Sequence, residues 1–219
     1  MGRAGRIARG IMVLGSVLLV AACGDSFNDA YCEANNHRNQ QTVEHLTNVL
    51  EQKRNQPGLY LARARCHYFL GAYAQALQDA SEVIRRLPNK ADAYLIRAKA
   101  GKMLGQISQA LQDYSAAIKF QPTAEAHYGR GLTYVREYQG KDREALEDFT
   151  AAIRLDPKHV GAHAFRAQIY SRHEQFQHAL ADSETVLKLD PTTTNAYCNV
   201  GFAHYALGHD AEGRKFLTT

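Results

Sequence analysis

One short sequence recurs four times in this chain at a nearly constant interval, and that interval constrains the fold more than any other feature. Tetrapeptides of the form Ala-Leu-X-Asp begin at Ala76, Ala110, Ala145 and Ala179, at steps of 34, 35 and 34 residues. Prolines repeat the same steps at Pro88, Pro122, Pro157 and Pro191. Two independent markers with one period indicate an array of repeats in which each unit buries its apolar face against its neighbours.

Each copy of the repeat contains two helical patterns and a turn. In residues 91–122, the first pattern places apolar residues at helical spacing, and Leu104-Gly105 interrupts it. A second apolar face then continues to Pro122, which ends the unit. The apolar positions of the two faces are Ala91, Tyr94, Leu95 and Ala98, and then Ala110, Leu111, Tyr114, Ala117 and Ile118. Each unit is therefore predicted to be a helix pair.

The small and bulky residues of these units resemble those of the tetratricopeptide repeat (TPR) family. Small residues recur in the first helix at Ala64, Ala98, Gly131, Ala167 and Gly201, and aromatic residues recur at Tyr60, Tyr94, Tyr114 and Phe149. The resemblance covers residues 57–219. It implies an all-α fold, a right-handed superhelical solenoid of antiparallel helix pairs.

The repeat markers divide the chain into predicted segments. Four full repeats occupy residues 57–90, 91–123, 124–159 and 160–193, and a truncated fifth occupies 194–219. The third has two extra residues between its helices, at 137–142. Residues 23–56 are interpreted as a short tether and a degenerate N-terminal capping repeat, with an inter-helix turn at 35–41. Its second helix would bury Leu46, Val49 and Leu50.

The first 22 residues differ from the rest of the chain. Three arginines precede the apolar stretch 11–20, and Val-Ala-Ala-Cys ends at Cys23. This pattern resembles a bacterial lipoprotein signal, which implies cleavage after residue 22 and lipidation of Cys23. An ordinary cleaved secretory signal is the alternative, whereas residues 11–22 are too short for a membrane span of roughly 20 residues. The resemblance implies a lipid-anchored protein of the bacterial cell envelope. By resemblance to enterobacterial sorting, Gly24 after the cysteine favours the outer membrane, with the protein facing the periplasm.

Removal of that segment changes the charge balance. Of the 26 Lys and Arg residues three lie in 1–22, which leaves 23 against 22 Asp and Glu residues. A nucleic-acid-binding protein usually presents a basic domain or stripe. We therefore expect no nucleic acid partner.

The sequence contains no recognisable catalytic or cofactor motif, so we expect no enzymatic activity and no cofactor. His159 and His163 have the spacing of two metal ligands on one helix face, but His159 follows Pro157 in a turn, so no metal site is predicted. Cys32 and Cys66 occupy equivalent positions of adjacent units. A disulfide between them and two separate buried thiols both remain open.

Charged residues also recur with the repeat. In the first four repeats, the first helix has an arginine and the second helix an aspartate at fixed positions. In the fifth repeat both charges are absent, and Val200 and Phe216 occupy these positions. This joint loss favours structural ion pairs within each repeat over a row of ligand-binding arginines. The predicted pairs are Arg63 with Asp79, Arg97 with Asp113, Arg130 with Asp148, and Arg166 with Asp182.

In the TPR family, the first helices line a concave groove that takes a segment of a partner protein. The resemblance assigns to this groove Leu61, Arg65, Tyr68, Leu95, Lys99, Lys102, Tyr128, Leu132, Arg136, Arg172, Phe202 and Tyr205. The mixture of cations and apolar side chains favours an acidic peptide. The apolar members could instead pack between helices, and the cations could form a solvated face.

The function implied is that of a membrane-anchored scaffold or assembly adaptor that binds other proteins of the cell envelope. The alternative is a permanent structural subunit of an envelope complex, such as machinery for outer-membrane protein assembly, pilus biogenesis or peptidoglycan enzymes. A homodimer is compatible with either.

Overall fold

The computed structural model describes residues 36–53 and 55–217, which form helices joined by short turns. The signal-like segment, Cys23 and Cys32 lie outside the described residues. No strand occurs in the part of the chain that is described, so the predicted all-α class is confirmed. The helices are α1 (Asn36–Gln52), α2 (Pro57–Phe69), α3 (Tyr73–Arg86), α4 (Ala91–Met103), α5 (Ile107–Phe120), α6 (Ala124–Glu137), α7 (Asp142–Leu155), α8 (Val160–Arg172), α9 (Phe176–Leu189), α10 (Thr194–Ala206) and α11 (Asp210–Leu217).

The chain divides into two compact units, one that ends at Asp113 and one that begins at Tyr114. In the first unit, α1 packs on α2, α2 on α3, and α3 on α4, while α2 also contacts α4. In the second unit, each helix from α6 to α11 packs on the next, and α8 also contacts α6 and α10. Each unit thus contains helix pairs in which the second helix of one pair packs on the first helix of the next, while the first helices of successive pairs also touch.

Small residues allow the paired helices to approach closely. The alanines that mark the repeat period, Ala76, Ala110, Ala145 and Ala179, are at most 1% exposed. At Gly131 an added Cβ would lie 3.0 Å from Cε1 of Phe149, so a glycine fits this contact better than any larger residue. Close helix contact therefore depends on side chains that the repeat pattern specifies.

The first unit contains several small apolar clusters. Leu46 and Leu50 of α1 pack with Leu59 of α2, and Leu61 packs with Val83. All five are nearly or fully buried. Since burial of one such side chain contributes about 1.5–3 kcal/mol, α1 is held to the repeats by its apolar face.

The second unit is organised around Phe149 of α7. This ring is fully buried and packs with Ile169, and the Phe165 ring lies 5.9 Å from it in a stacked arrangement. Tyr128 joins the cluster, with ring centroids 5.9 Å from Phe149 and 6.2 Å from Phe165. An aromatic core replaces the small aliphatic clusters of the first unit.

The predicted turn at 35–41 is wrong for the residues that the structure describes, because α1 begins at Asn36. Asn39 is 2% exposed within this helix, so a residue read as part of a polar loop is buried. The apolar residues expected in the second helix are placed as predicted, since Leu46 and Leu50 are buried and Val49 packs against them.

Each of the five turns inside the helix pairs of the described chain contains a residue with positive φ. Gly71, Gly105, Gly140 and Gly208 have φ between 76° and 78°, whereas Glu174 occupies this conformation with φ 57°. Glycine adopts positive φ without the steric cost of a side chain. Glu174 is therefore the turn residue whose backbone is strained.

The insertion in the third repeat is divided between a helix and a turn. Helix α6 has 14 residues, whereas α2, α4, α8 and α10 have 13. The connection from Glu137 to Asp142 is also one residue longer than the other turns within pairs.

Pro57 begins α2, where a missing amide hydrogen is tolerated.

Within residues 36–53 and 55–217, every helix is too short or too polar to cross a lipid bilayer.

Candidate protein-binding surface

The residues predicted to line a groove lie on the first helices but do not share one environment. Leu61 and Leu132 are buried, with 9% and 8% of their surface exposed. Tyr128 is half-buried in the Phe149 cluster, and burial raises the pKa of its hydroxyl. These three residues pack in the core, so their assignment to an open groove is corrected in favour of helix packing.

In the first unit, cations and an aromatic ring of the predicted groove lie together. Nζ of Lys99 is 5.6 Å from the centroid of the Tyr68 ring, within the range of a cation–π contact. Nη2 of Arg65 lies 3.5 Å from Oδ2 of Asp92. Lys102 is half-buried one turn after Lys99. We call Arg65, Tyr68, Lys99 and Lys102 the first-unit face.

Apolar groups accompany this face. Leu95 is half-buried on α4, and Met103 at the end of the same helix is 50% exposed. The Tyr68 ring also lies 5.5 Å from that of Phe69 and 5.6 Å from that of Tyr73. The first-unit face therefore offers positive charge beside exposed apolar surface.

In the second unit, the two predicted groove cations are exposed and also contact other side chains. The Arg136 guanidinium lies 5.9 Å from the centroid of Phe165. Nη1 of Arg172 donates to both carboxylate oxygens of Asp142, at 2.7 and 3.0 Å, and Nε2 of His173 is 2.8 Å from Oδ2 of the same aspartate. The charge of Arg172 is thus balanced within the protein.

The fifth repeat contributes aromatic surface. Phe202 is 56% exposed and lies 5.9 Å from Phe176 in an edge-to-face arrangement. Tyr205 on the same helix is 37% exposed. The predicted groove residues thus differ in chemistry along the chain, with cations in the first unit and exposed aromatic rings in the fifth repeat.

The structure places every predicted arginine against the aspartate of its own repeat. In each case Nε and Nη2 donate to the two oxygens of one carboxylate. The distances are 2.8 and 2.7 Å for Arg63 with Asp79, 2.8 and 2.7 Å for Arg97 with Asp113, 2.8 and 2.8 Å for Arg130 with Asp148, and 2.7 and 2.8 Å for Arg166 with Asp182. Such two-point pairs are strong and fix the orientation of both side chains.

These pairs are poorly exposed to solvent. The aspartate side chains are between 3% and 7% exposed. The hydrogen bond to its aspartate raises the pKa of each arginine, and burial opposes this rise; the arginines are Arg63, Arg97, Arg130 and Arg166. Each arginine is therefore charged, and its two-point contact with a buried aspartate links the two helices of its repeat.

Each arginine also binds a hydroxyl that the sequence analysis missed. The remaining guanidinium nitrogen, Nη1, donates to a Ser or Thr on the helix that precedes the arginine's own helix. The acceptors are Thr47 at 3.1 Å from Arg63, Ser81 at 3.4 Å from Arg97, Ser115 at 3.0 Å from Arg130, and Thr150 at 3.2 Å from Arg166. These hydroxyl residues recur at steps of 34, 34 and 35 residues, so they could have been recognised in the sequence as a further repeated position.

Histidines extend this network in the third and fourth repeats. Nδ1 of His127 lies 2.8 Å from Oδ1 of Asp148, and Nδ1 of His163 lies 2.8 Å from Oδ1 of Asp182. His159 acts differently, since its Nδ1 accepts a hydrogen bond from the backbone N–H of Ala162 at the start of α8. The two histidines whose spacing suggested metal ligands thus have separate structural partners.

In the fifth repeat the ion pair is replaced by apolar groups. Val200 is fully buried, and the Phe216 ring stacks on His204 with centroids 5.9 Å apart. The hydroxyl position is lost as well, because Glu184 stands 34 residues after Thr150. Three network positions therefore change together in the fifth repeat.

Comparisons with known proteins support this fold. The sequence model of the tetratricopeptide repeat matches residues 124–159. The structure of YrrB, described as a TPR protein with an unusual peptide-binding site, is 17% identical, covers 80% of this chain and 90% of its own, and has a TM-score of 0.68. No curated protein sequence matches the chain.

Two further solved structures agree. MamA of Desulfovibrio magneticus is 19% identical over 75% of this chain and 92% of its own, with a TM-score of 0.65. A TPR protein of Thermus thermophilus is 19% identical over 81% of this chain and all of its own, with a TM-score of 0.59. The chain thus contains TPR units and has the all-α TPR fold, which is typical of protein-interaction scaffolds.

Proposed function

We propose that this protein is a lipid-anchored TPR scaffold of the bacterial envelope, and that its first-unit face binds acidic segments of partner proteins. The observation on which the proposal rests is the combination of cations, an aromatic ring and exposed Met103 on neighbouring helices α2 and α4. Binding of proteins through repeat surfaces is the usual function of this fold. The similar protein YrrB, which has a peptide-binding site, supports a peptide as the ligand.

Charge complementarity favours an acidic ligand. Arg65, Lys90, Lys99 and Lys102 are four cations on or beside α2 and α4, and Asp92 is the acid that contacts two of them, Arg65 at 3.5 Å and Lys90 at 3.6 Å. On α2 and α4 together, five Arg and Lys residues stand against one Asp, so a negative peptide is the ligand of complementary charge. Its apolar side chains would pack on Tyr68 and Met103. For a ligand of micromolar affinity the binding free energy is about 8 kcal/mol.

Charge reversal tests this proposal directly. The double variant Lys99→Glu/Lys102→Glu would be compared with Lys188→Glu, an exposed lysine on the second helix α9. Fluorescence anisotropy would use peptides that share an apolar sequence and contain zero, two or four acidic residues. We expect tighter binding with more acidic residues, weakening with added salt, and a loss of at least about tenfold in the double variant alone.

Two results would argue against this ligand. If the neutral peptide binds as tightly as the acidic ones, positive charge does not select the partner. If Lys188→Glu weakens binding as much as the double variant, the effect comes from net charge and not from the first-unit face.

The membrane anchor is proposed from the sequence alone, since Cys23 lies outside the described residues. The Val-Ala-Ala-Cys pattern implies lipid chains on Cys23, and two or more chains give stable anchoring. Cys23→Ser should move the protein to the soluble fraction or leave a precursor of higher mass. Membrane fractionation and intact mass spectrometry measure both outcomes, and an unchanged distribution with an unchanged mass would contradict lipidation.

A further inference from the structure

Two histidines face each other at the turn that joins the last two helices. His204 lies in the last turn of α10, and His209 immediately precedes α11. Their Nδ1 atoms are 3.5 Å apart, and their ring centroids are 5.7 Å apart. Neither residue belongs to the Arg–Asp network or to the first-unit face, so this pair requires a separate explanation.

The backbone determines this proximity. The N–H of His209 donates to the carbonyl of His204 at 2.9 Å, the N–H of Gly208 donates to that of Tyr205 at 3.0 Å, and Gly208 has φ 78°. This is the Schellman arrangement of a helix end, in which the side chains at the two outer positions meet. The two imidazoles are therefore brought together by a regular structural feature.

The same helix end occurs elsewhere with different side chains. After α8, the N–H of Gln175 donates to the carbonyl of Tyr170 at 2.9 Å, and after α2 that of Ala72 donates to His67 at 2.8 Å. In the fifth repeat both positions are histidine. The repeat thus supplies the geometry, and this particular turn supplies two nitrogen ligands.

The ring of His204 is also oriented by packing. Phe216 lies 5.9 Å away with an interplanar angle of 18°, so the two rings stack. Phe216 occupies the position at which the other repeats have the aspartate of the ion pair. At the equivalent first-helix position, His67 has Nε2 3.9 Å from Oδ2 of Asp79. Loss of the ion pair therefore replaces a carboxylate beside this histidine with an aromatic ring.

The distance between the Nδ1 atoms fits metal chelation better than a hydrogen bond. Hydrogen bonds that nitrogen donates normally span about 2.7–3.2 Å, which is shorter than the 3.5 Å observed. Two metal–nitrogen bonds of about 2.0–2.1 Å at a tetrahedral angle place the nitrogens about 3.3–3.4 Å apart. We propose that His204 and His209 bind a divalent transition metal ion through their Nδ1 atoms.

The ligand set narrows the choice of ion. Imidazole nitrogen suits Zn²⁺, Ni²⁺ and Cu²⁺, and Cu²⁺ binds most tightly in this series. No group of three or more His, Cys, Asp or Glu residues with metal-binding geometry occurs in residues 36–53 and 55–217. The described residues therefore supply two ligands to this site, and water would complete the coordination. Such a site takes up metal reversibly and has open positions for a further ligand.

Calorimetry with Zn²⁺ and electron paramagnetic resonance with Cu²⁺ test the site in the full chain, purified without a histidine tag. Cys198 is exposed, so all proteins would contain Cys198→Ser to remove a competing thiol. The variants are His204→Gln and His209→Gln, and the matched control is His178→Gln, an exposed histidine on α9. His209→Gln leaves the stacking of His204 on Phe216 in place.

We expect one Zn²⁺ per chain and a loss of affinity of at least about tenfold in each single variant, with no change in the control. The Cu²⁺ spectrum should show coupling to two imidazole nitrogens in the parent and to one in each variant. Equal loss in His178→Gln, or an unchanged nitrogen coupling in both variants, would overturn the proposal. Circular dichroism of the metal-free proteins separates loss of ligands from loss of folding.

Discussion

The first four repeats and the fifth solve the same packing problem in different ways. In the first four repeats, an arginine on the first helix binds both carboxylate oxygens of an aspartate on the second helix. The same arginine binds a hydroxyl on the helix before its own, as Arg130 does with Asp148 and Ser115. In the fifth, Val200 is buried and Phe216 packs against His204 and Tyr197. The helix pair itself is retained, since α10 still packs on α11.

This difference shows why the charged positions change together. A buried ion pair is replaced by apolar groups at little cost when both partners change, whereas removal of one partner leaves an uncompensated charge. Val200 and Phe216 are such a joint replacement. Because Val200 has no guanidinium, the hydroxyl position is also released, and Glu184 stands there.

Breaking one ion pair should have the largest effect. Asp148 accepts from Arg130 and is 2.8 Å from His127, so Asp148→Ala leaves two basic groups without their carboxylate. We expect a loss of about 3–5 kcal/mol in the free energy of unfolding, measured by urea titration. The double variant with Arg130→Ala should lose less than the sum of the two single variants. Additive losses would show that the two side chains are not coupled.

Adding a methyl group distinguishes the packing of the two regions. At Gly129 an added Cβ would lie 2.5 Å from Cε1 of Tyr114, which is 1% exposed and cannot move away. We expect Gly129→Ala to cost about 1–3 kcal/mol of unfolding free energy. Gly213→Ala in the fifth repeat would meet the Tyr205 ring at 2.9 Å, but this ring is 37% exposed and can rotate; the second neighbour, the carbonyl oxygen of Gly201 at 3.1 Å, would have to shift by only a few tenths of an ångström.

Gly213→Ala should therefore cost less than Gly129→Ala, because the Tyr205 ring can yield and the Tyr114 ring cannot; the gain of about 1 kcal/mol in helix propensity from glycine to alanine applies to both helices. Thermal unfolding of both variants measures the order. A larger loss at Gly213 would mean that the last repeat is packed as rigidly as the third.

Removal of a hydroxyl should have a smaller effect than loss of an ion pair. Thr150→Ser keeps the acceptor for Arg166, whereas Thr150→Val removes it at similar volume. We expect Thr150→Val to lose about 0.5–1.5 kcal/mol and Thr150→Ser to lose less. Glu184→Ala is the comparison for the fifth repeat, in which Val200 replaces the arginine, and it should have little effect. Urea titration of all three variants measures the order of their unfolding free energies. If Glu184→Ala is the most destabilised, the hydroxyl is not the group that stabilises this position.

Relief of backbone strain should give a small gain. Glu174 has φ 57°, where the other turns within pairs have glycine at positive φ. We expect Glu174→Gly to raise the free energy of unfolding by about 0.5–1 kcal/mol, because steric strain of about 1–2 kcal/mol is partly offset by the greater freedom of glycine in the unfolded chain. Glu184→Gly, inside helix α9, is the control and should be destabilising. Loss of stability in Glu174→Gly would show that this turn is not strained.

Several features could be predicted from the sequence because the repeat period exposes them. The helix pairs, the buried alanines and the partners of the four arginines all follow from residues that recur at about 34 positions. Hydroxyl residues recur at the same period, at Thr47, Ser81, Ser115 and Thr150. Serine and threonine are common on helix surfaces, so this recurrence alone does not indicate a hydrogen-bond partner. Each arginine meets its hydroxyl on the helix that precedes its own repeat. A sequence pattern within one repeat does not specify which residues of the preceding helix it will contact.

The candidate surface was less predictable. Leu61 and Leu95 occupy equivalent positions of successive first helices, but Leu61 is buried with Val83 while Leu95 is half-buried. Arg172 was expected to meet a ligand and instead binds Asp142, which follows the lengthened turn of the third repeat. Exposure and charge balance depend on the neighbours of each side chain, and these differ between units of the same pattern.

The sequence by itself determined the period and the all-α class, because both arise from local helix geometry repeated along the chain. It also determined the pairing of charges within each repeat, because both charges are lost together at Val200 and Phe216. Only the tertiary structure decided that α1 begins at Asn36, that cations remain beside exposed Met103 in the first unit, and that His204 and His209 face each other. The two histidines are five residues apart, a spacing that separates side chains on a continuous helix. They meet because the helix ends between them, and the position of that end depends on hydrogen bonds of the folded backbone.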